Sequence, residues 1–182
     1  MPFGRNWGEE LVAEWLSLEG YLVYAGMPVG SGKGGKGGLR DADAVGVRAK
    51  GGGLEIKHVE VGQLWEKGGL KANVQRAIDK FNPNVVNIIQ NYMMSKTGAT
   101  KILNYDKVYV ATYCPKTQVS SIATQLQTRN IKFLTVPMLV DILKNLIKNY
   151  KPPYKGKSGY HMLPASLWTL KLLECLMWWR YI

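Results

Sequence analysis

Two carboxylates and a lysine lie where neighbouring strands could bring them together. Asp43 belongs to a predicted strand over 42–47, and Glu55 and Lys57 alternate within a second predicted strand over 54–59. Because alternate side chains of a strand share a face, Glu55 and Lys57 point the same way, and a hairpin could place Asp43 beside Glu55. Carboxylate oxygens are preferred ligands of Mg²⁺. A lysine on that face can orient or deprotonate a metal-bound water, or stabilise developing phosphate charge.

The elements around these residues predict an α/β fold. Helix and strand periodicities, with Gly and Pro at their boundaries, predict the order α-β-β-β-α-(α)-β-α-β-α. The predicted helices cover 6–19, 70–81, 85–94, 118–128, 138–150 and 163–182. The predicted strands cover 21–25, 42–47, 54–59, 108–112 and 131–136, with residues 50–53 forming a hairpin turn. This order implies a mixed sheet flanked by helices.

The charge of the 182-residue chain is unevenly distributed. Its formal net charge is +11, from 24 Lys+Arg and 13 Asp+Glu. Residues 1–60 contain 7 basic and 8 acidic side chains, a net of −1, whereas residues 61–182 contain 17 and 5, a net of +12. An excess of this size indicates a polyanionic partner, most often a nucleic acid. This uneven distribution has two interpretations. It is either chance variation of the surface, or it marks a functional cluster of acids on an otherwise cationic protein.

Four short segments, in this order, resemble motifs of the PD-(D/E)XK nuclease superfamily. They are GEELVAEWL at 8–16, GYLV at 20–23, DAVGV at 43–47 and LEIK at 54–57. More closely, residues 4–81 resemble the archaeal Holliday junction resolvases and related small restriction-endonuclease-like proteins. The resemblance implies a restriction-endonuclease-like core, αβββαβ, with additional C-terminal helices.

The same resemblance implies a site that hydrolyses phosphodiester bonds with Mg²⁺ or Mn²⁺. Asp43, Glu55 and the carbonyl of Ile56 would bind the ion. Glu9 would complete the site, directly or through water, and Lys57 would position the attacking water. The reaction would be in-line hydrolysis, as in other metal-assisted nucleases.

Two of these assignments have an alternative close in sequence. Asp41 lies two residues before Asp43 on the same strand face, and the Pro expected before the motif aspartate is missing. Asp43 is preferred because the apolar pattern starts after it. Glu10 adjoins Glu9, and Glu9 is preferred because it shares a helix face with apolar residues.

The glycine-rich loop before Asp43 does not predict a nucleotide site. Its sequence GSGKGGKGG at 30–38 nearly matches a phosphate-binding P-loop, but Gly37 stands where a Ser or Thr is needed. A strand follows the loop where that motif demands a helix, so we expect no nucleotide cofactor.

DNA contacts are predicted from this loop and from the helix after the third strand. By the resemblance, a loop beside the metal site closes on phosphates and a polar helix face points at the site. An unspecialised loop and a solvated helix face are the alternatives. The predicted DNA-binding residues are Lys33, Lys36, Arg40, Gln75 and Arg76.

The composition changes after residue 150. We expect residues 1–150 to form the nuclease-like domain and residues 151–182 to form a basic linker and an apolar helix. That helix is apolar on most sides, which indicates burial on its own domain or in a dimer contact. No run of 18 apolar residues predicts a membrane span. Two cysteines far apart suit free thiols in the cytoplasm.

The sequence therefore predicts a Mg²⁺-dependent DNA endonuclease. By the resemblance it would be a homodimer with a structure-selective, Holliday-junction-resolvase-like role on DNA. The alternative is a catalytically silent DNA-binding or assembly protein that retains the fold.

Overall fold

The structure, a computed structural model, describes residues 7–31, 39–64, 69–150, 163–164 and 166–178. The helices are α1 (Trp7–Leu18), α2 (Gly69–Lys80), α3 (Pro83–Thr97), α4 (Val119–Gln127), α5 (Val136–Asn149) and α6 (Trp168–Trp178). The strands are β1 (Leu22–Ser31), β2 (Leu39–Lys50), β3 (Gly53–Gln63), β4 (Ile102–Tyr113) and β5 (Ile131–Thr135). The predicted order of helices and strands is confirmed, including the helix at 85–94, which extends over α3.

Within the described residues, the five strands form one open mixed sheet in the order β1-β2-β3-β4-β5. The first three strands are antiparallel neighbours, whereas β3–β4 and β4–β5 are parallel pairs. Parallel neighbours require crossover connections, and α2 with α3 supplies the first of these and α4 the second. The predicted mixed sheet flanked by helices is confirmed.

Helices cover both faces of the sheet. On one face α1, α5 and α6 pack in a single apolar cluster with alternate residues of β3 and β4, such as Val59 and Val108. On the other face α3 packs over β1–β3, and α2 with α4 packs over β4 and β5. Neighbouring residues of β4, Val108 and Tyr109, belong to opposite faces, as the two-residue period of a strand requires.

Turn and cap residues set the boundaries near the predicted site. Gly51 and Gly52 both have positive φ (51° and 76°), which a tight two-residue hairpin turn favours. Asn82 caps α3 by accepting a hydrogen bond from the Val85 amide at 3.1 Å, and Pro83 begins that helix. The short interval between α2 and α3 therefore follows from local sequence.

Four of the five strands are longer than predicted, whereas β5 ends one residue earlier, at Thr135. β1 was expected to end at residue 25, where the glycine-rich loop begins, but it continues to Ser31 beside β2. Gly26 and Gly30 have positive φ within this stretch. The pairing with β2 supplies ladder hydrogen bonds that outweigh the weak strand propensity of glycine.

α6 packs on its own chain through one face. Leu163, Leu167, Leu170 and Leu173 are buried against α1 and α5. The buried carboxylate of Glu14 accepts hydrogen bonds from the amides of Thr169 (3.0 Å) and Leu170 (2.8 Å) at the first turn of α6. No helix among the described residues is long and apolar enough to cross a membrane.

Candidate functional site

The register of the β2–β3 hairpin decides which carboxylates meet. Ala44 pairs with Val59 in an antiparallel ladder. Continued by one residue, this register brings Asp43 beside Glu60. Glu55 lies five residues away from Glu60, about 17 Å along an extended strand. The prediction that the hairpin places Asp43 beside Glu55 is therefore wrong.

Glu55 belongs to an ion-pair cluster on β2 and β3. Its carboxylate lies 2.6 Å from Nη2 of Arg48 and 2.7 Å from Nζ of Lys50. Hydrogen bonds from Lys50 and Arg48 hold the pKa of Glu55 below its usual value. Ile56, whose carbonyl was predicted as a ligand, lies on the same stretch of β3, opposite Val47.

Lys57 is held against α1 and the turn that follows it. Its ammonium forms an ion pair with Glu19 and lies 5.1 Å from the ring centroids of both Trp15 and Tyr21. These are cation–π distances. Arg48 of the Glu55 cluster lies over the same Tyr21 ring at 4.5 Å, so the prediction that Glu55 and Lys57 share a face is confirmed. The geometry gives Lys57 a packing role.

A different cluster forms around Asp43. Oδ2 of Asp43 accepts a hydrogen bond from the Val61 amide at 2.7 Å and lies 3.5 Å from Nζ of Lys80. The same ammonium lies 2.6 Å from Oε2 of Glu60, whose side chain is only 1% exposed. Lys80 is the last residue of α2. Two carboxylates from β2 and β3 therefore share one lysine from the helix end.

Burial and a neighbouring carboxylate raise the pKa of Asp43 although the Lys80 ammonium is nearby. Burial, then the charge of Glu60, raises the pKa of Asp43 to about 7, against the opposing effects of Lys80 and the Val61 amide. For Glu60, burial acts to raise the pKa, but interactions with His58 and Lys80 outweigh it and lower the pKa. For Lys80, burial acts to lower the pKa, and the two carboxylates outweigh it and raise the pKa.

Glu9 is the third acid that reaches this cluster. It lies in the first turn of α1, is buried, and its charge contributes to the raised pKa of Asp43. Of the paired alternatives, Asp43 is the aspartate in contact with Lys80, and Glu9 is the glutamate whose charge acts on Asp43. Glu10 is half-buried in the same turn, and Asp41 pairs with Pro28 at the far part of β2.

His58 and Tyr105 extend the cluster into the core. Nε2 of His58 lies 2.8 Å from Oε1 of Glu60, and Nδ1 lies 3.1 Å from the hydroxyl of Tyr105. His58 is fully buried and, as the residue after Lys57 in β3, lies on the opposite face of the sheet. Burial, with the charge of Glu60, raises the pKa of Tyr105 far above its usual value, so the phenol keeps its proton.

Three of the predicted DNA-binding residues line one open groove. Arg40, Gln75 and Arg76 line a groove of about 1150 Å³ together with Lys80 and Asp79. The groove therefore carries three cations and one acid, and Lys80 joins it to the carboxylate cluster.

The side chains along this groove are held in place by hydrogen bonds. The Arg40 guanidinium donates to the Asp79 carbonyl, and Nε2 of Gln75 donates to Oδ1 of Asp79 at 2.8 Å. Nη1 of Arg76 donates to the Gln63 carbonyl at 3.4 Å. The other predicted contacts, Lys33 and Lys36, lie outside the described residues.

The carboxylates of Asp43 and Glu60 are the groups of this cluster that could bind a divalent cation. No group of three or more His, Cys, Asp or Glu side chains in the described part of the chain is arranged as a metal site. Mg²⁺, however, is commonly held by one or two carboxylates, with water and phosphate oxygens as further ligands. Asp43 and Glu60 offer two carboxylates from neighbouring strands, and Lys80 lies between them.

Sequence reasoning missed Glu60 and Lys80 for different reasons. The signal for Glu60 was present, because a two-residue turn at 51–52 already pairs position 43 with position 60. A second signal was the sequence Val59-Glu60-Val61, which places an acid between two residues that favour strands. Lys80 carried none, since a lysine in the last turn of a helix is ordinary.

Comparison of the chain with protein-family models, with curated proteins and with solved structures found no match. What the site does is therefore inferred from its own geometry and chemistry.

Proposed function

We propose that this protein is a metal-dependent DNA endonuclease with a restriction-endonuclease-like core of the PD-(D/E)XK kind. In this proposal Asp43 and Glu60 hold Mg²⁺ or Mn²⁺, with Glu9 completing the site directly or through water. Glu60 and Lys80 take the roles that the motif resemblance assigned to Glu55 and Lys57. The observation that carries the proposal is the Lys80 ammonium between the buried carboxylate of Glu60 and the half-buried carboxylate of Asp43, at the edge of a cationic groove.

Each residue has a role that follows from its contacts. The bound ion would supply Lewis-acid stabilisation of the phosphate and a nucleophile at neutral pH. Val61 and His58 orient the carboxylates of Asp43 and Glu60 through the hydrogen bonds described above. Lys80 is 31% exposed and reaches the groove, where its charge can stabilise a phosphate in the transition state.

The groove supports DNA as the substrate class. Arg40 and Arg76 line it together with Lys80, and guanidinium groups bind phosphates in a planar, two-pronged geometry. The formal net charge of +11 favours a polyanion over a small acidic substrate. Selectivity for branched DNA is the most specific part of the proposal and rests on the motif resemblance.

A homodimer is part of the same proposal. α6 buries one face on its own chain but leaves Trp168 and Leu172 more than half exposed, at 53% and 56%. Two such faces could pack together in a dimer that holds two DNA strands. Light scattering is expected to report a dimer for the wild type and a monomer for the double variant Trp168→Ser, Leu172→Ser.

The decisive experiment measures cleavage of Holliday-junction, duplex and single-stranded DNA with and without Mg²⁺ or Mn²⁺. The test variants are Asp43→Asn, Glu60→Gln and Lys80→Met. The matched controls are Glu55→Gln and Lys57→Met, which remove the same groups from the neighbouring ion pairs.

Metal-dependent cleavage is expected in the wild type, with a loss of roughly 100-fold or more in each test variant. The controls are expected to retain cleavage within about threefold when all variants are assayed well below their melting temperatures. If Glu55→Gln and Lys57→Met abolish cleavage while Glu60→Gln and Lys80→Met retain it, the assignment to Glu60 and Lys80 is wrong.

A catalytically silent DNA-binding protein is the second candidate, and one observation favours it. Lys80 already neutralises part of the charge that a metal ion would balance. Salt-dependent DNA binding without cleavage of any DNA in Mg²⁺ or Mn²⁺ would support this candidate and overturn the first.

A further inference from the structure

His58 stands at the centre of the interactions that set the shape of the carboxylate cluster. Its ring is fully buried, and the ring of Phe81 meets it edge-on with centroids 4.8 Å apart. The ring of Tyr105 meets it edge-on as well, at 6.2 Å. Packing from two sides holds the ring in place, and the contacts with Glu60 and Tyr105 decide where its two nitrogens lie.

The two nitrogens have different partners, and this determines the tautomer. Oε2 of Glu60 accepts from the Lys80 ammonium at 2.6 Å, as a carboxylate does, so Oε1 accepts as well and Nε2 of His58 carries the proton at the 2.8 Å contact. Nδ1 then accepts from the Tyr105 hydroxyl at 3.1 Å. All the polar groups of the His58–Tyr105 pair are satisfied by the neutral Nε2–H form.

His58 also connects the two halves of the cluster. Its Nε2–H holds Oε1 of Glu60, which leaves Oε2 directed at Lys80 at 2.6 Å. Phe81, which packs on the His58 ring, is the residue after Lys80. One imidazole therefore orients the carboxylate by a hydrogen bond and anchors the end of α2 by packing.

We propose that His58, locked as the Nε2–H tautomer by Tyr105, is the positioning residue that aims Glu60 for metal binding. The inference rests on the proposed function, because it assigns Glu60 to the metal. His58 itself is not a ligand, since both of its nitrogens have protein partners. Groups that hydrogen-bond to metal ligands typically contribute 10- to 100-fold to metal affinity.

The test separates the hydrogen bond from the packing. His58→Gln keeps a donor near the position of Nε2, and His58→Leu keeps apolar volume without a donor. Tyr105→Phe keeps the ring that packs on His58 and removes only its hydroxyl. The readouts are Mn²⁺ affinity by electron paramagnetic resonance, which needs no activity, and ¹⁵N NMR of the His58 ring, with melting temperature as the control for folding.

We expect the wild type to show the Nε2–H signature and to bind Mn²⁺. His58→Leu is expected to bind it roughly 10- to 100-fold more weakly, His58→Gln within about threefold of wild type, and Tyr105→Phe in between with a mixed tautomer signal. Folded His58→Leu or Tyr105→Phe with wild-type Mn²⁺ affinity would overturn the role of His58, as would an Nδ1–H signature in the wild type.

The outcome also separates this inference from the function on which it rests. Wild-type protein that binds no Mn²⁺ and cuts no DNA overturns the proposed function and the metal-directed role of His58 together. Wild-type protein that binds Mn²⁺ equally well with and without the His58 donor overturns the inference alone. A variant that fails to fold leaves Tyr105→Phe, the smallest change, to decide.

Discussion

The ammonium of Lys80 lies 2.6 Å from Oε2 of Glu60, a carboxylate that is 1% exposed. Lys80 closes α2 and Glu60 lies in β3, so this contact ties a helix end to the middle of the sheet. Lys80 also contacts Asp43 of β2 and lines the cationic groove. The side chain of Lys80 therefore links Glu60 and Asp43 to the groove that we propose binds DNA.

The raised pKa of Asp43 predicts a pH-dependent stability. The unfolded carboxyl ionises near 3.8 and the folded one at about 7, so this group favours folding at low pH and loses that contribution as pH rises to about 7. The full difference is up to ~4 kcal/mol. Between pH 5 and 8, urea unfolding of Asp43→Asn is expected to gain stability relative to wild type as pH rises.

Glu60 does not contribute to the expected loss of stability with rising pH, because its pKa is shifted in the opposite direction, below its usual value. Parallel pH profiles for wild type and Asp43→Asn would mean that Asp43 is not buried beside Glu60.

Adding Mn²⁺ at pH 8 is expected to raise the stability of the wild type by about 2.7 kcal/mol at 100 times its dissociation constant.

The groove predicts a specific salt dependence of DNA binding. Replacing Arg40 or Arg76 by Ala is expected to reduce the slope of log K against log[salt] by about 0.9 for each lost phosphate contact. Arg129→Ala is the matched control, because Arg129 is exposed in the turn between α4 and β5, away from the groove. Equal slopes for Arg76→Ala and Arg129→Ala would remove the groove from the DNA-binding surface.

The Glu14 carboxylate predicts how strongly α6 depends on the rest of the chain. Glu14→Leu leaves the amides of Thr169 and Leu170 without their acceptor, which is expected to cost ~1–3 kcal/mol of unfolding free energy. Limited proteolysis is expected to cut the C-terminal region faster in this variant. Glu174→Leu, a half-buried acid on α6, is the control, and equal cutting of both variants would contradict the capping role.

Close packing at Gly62 predicts a rescue between two residues. A Cβ at position 62 would overlap the hydroxyl of Tyr109, a buried side chain with little room to move. Gly62→Ala is therefore expected to lose ~1–3 kcal/mol of stability. Because Tyr109→Phe removes the overlapping oxygen, the double variant is expected to recover at least half of that loss in a double-mutant cycle. Additive effects would show that the backbone moves instead.

Much of the fold was readable from local patterns. The helix stripe around Trp15, the alternation in β3 and the glycine turn at 51–52 depend on neighbours in sequence, so the α/β class and the order of elements followed directly. The ends of the strands did not, because β1 continues through glycines only where β2 lies beside it.

The candidate site divides in the same way. The sequence by itself predicted metal ligands at Asp43 and Glu9 and DNA contacts at Arg40, Gln75 and Arg76. The structure places the last three along one groove with Lys80. The turn at 51–52 already implied that Glu60 meets Asp43, whereas only the tertiary structure decided that Lys80 stands between them. The register of a hairpin follows from its turn, which is local in sequence. The place where a helix ends on the sheet depends on contacts between residues far apart in the chain, so the position of Lys80 needed the tertiary structure.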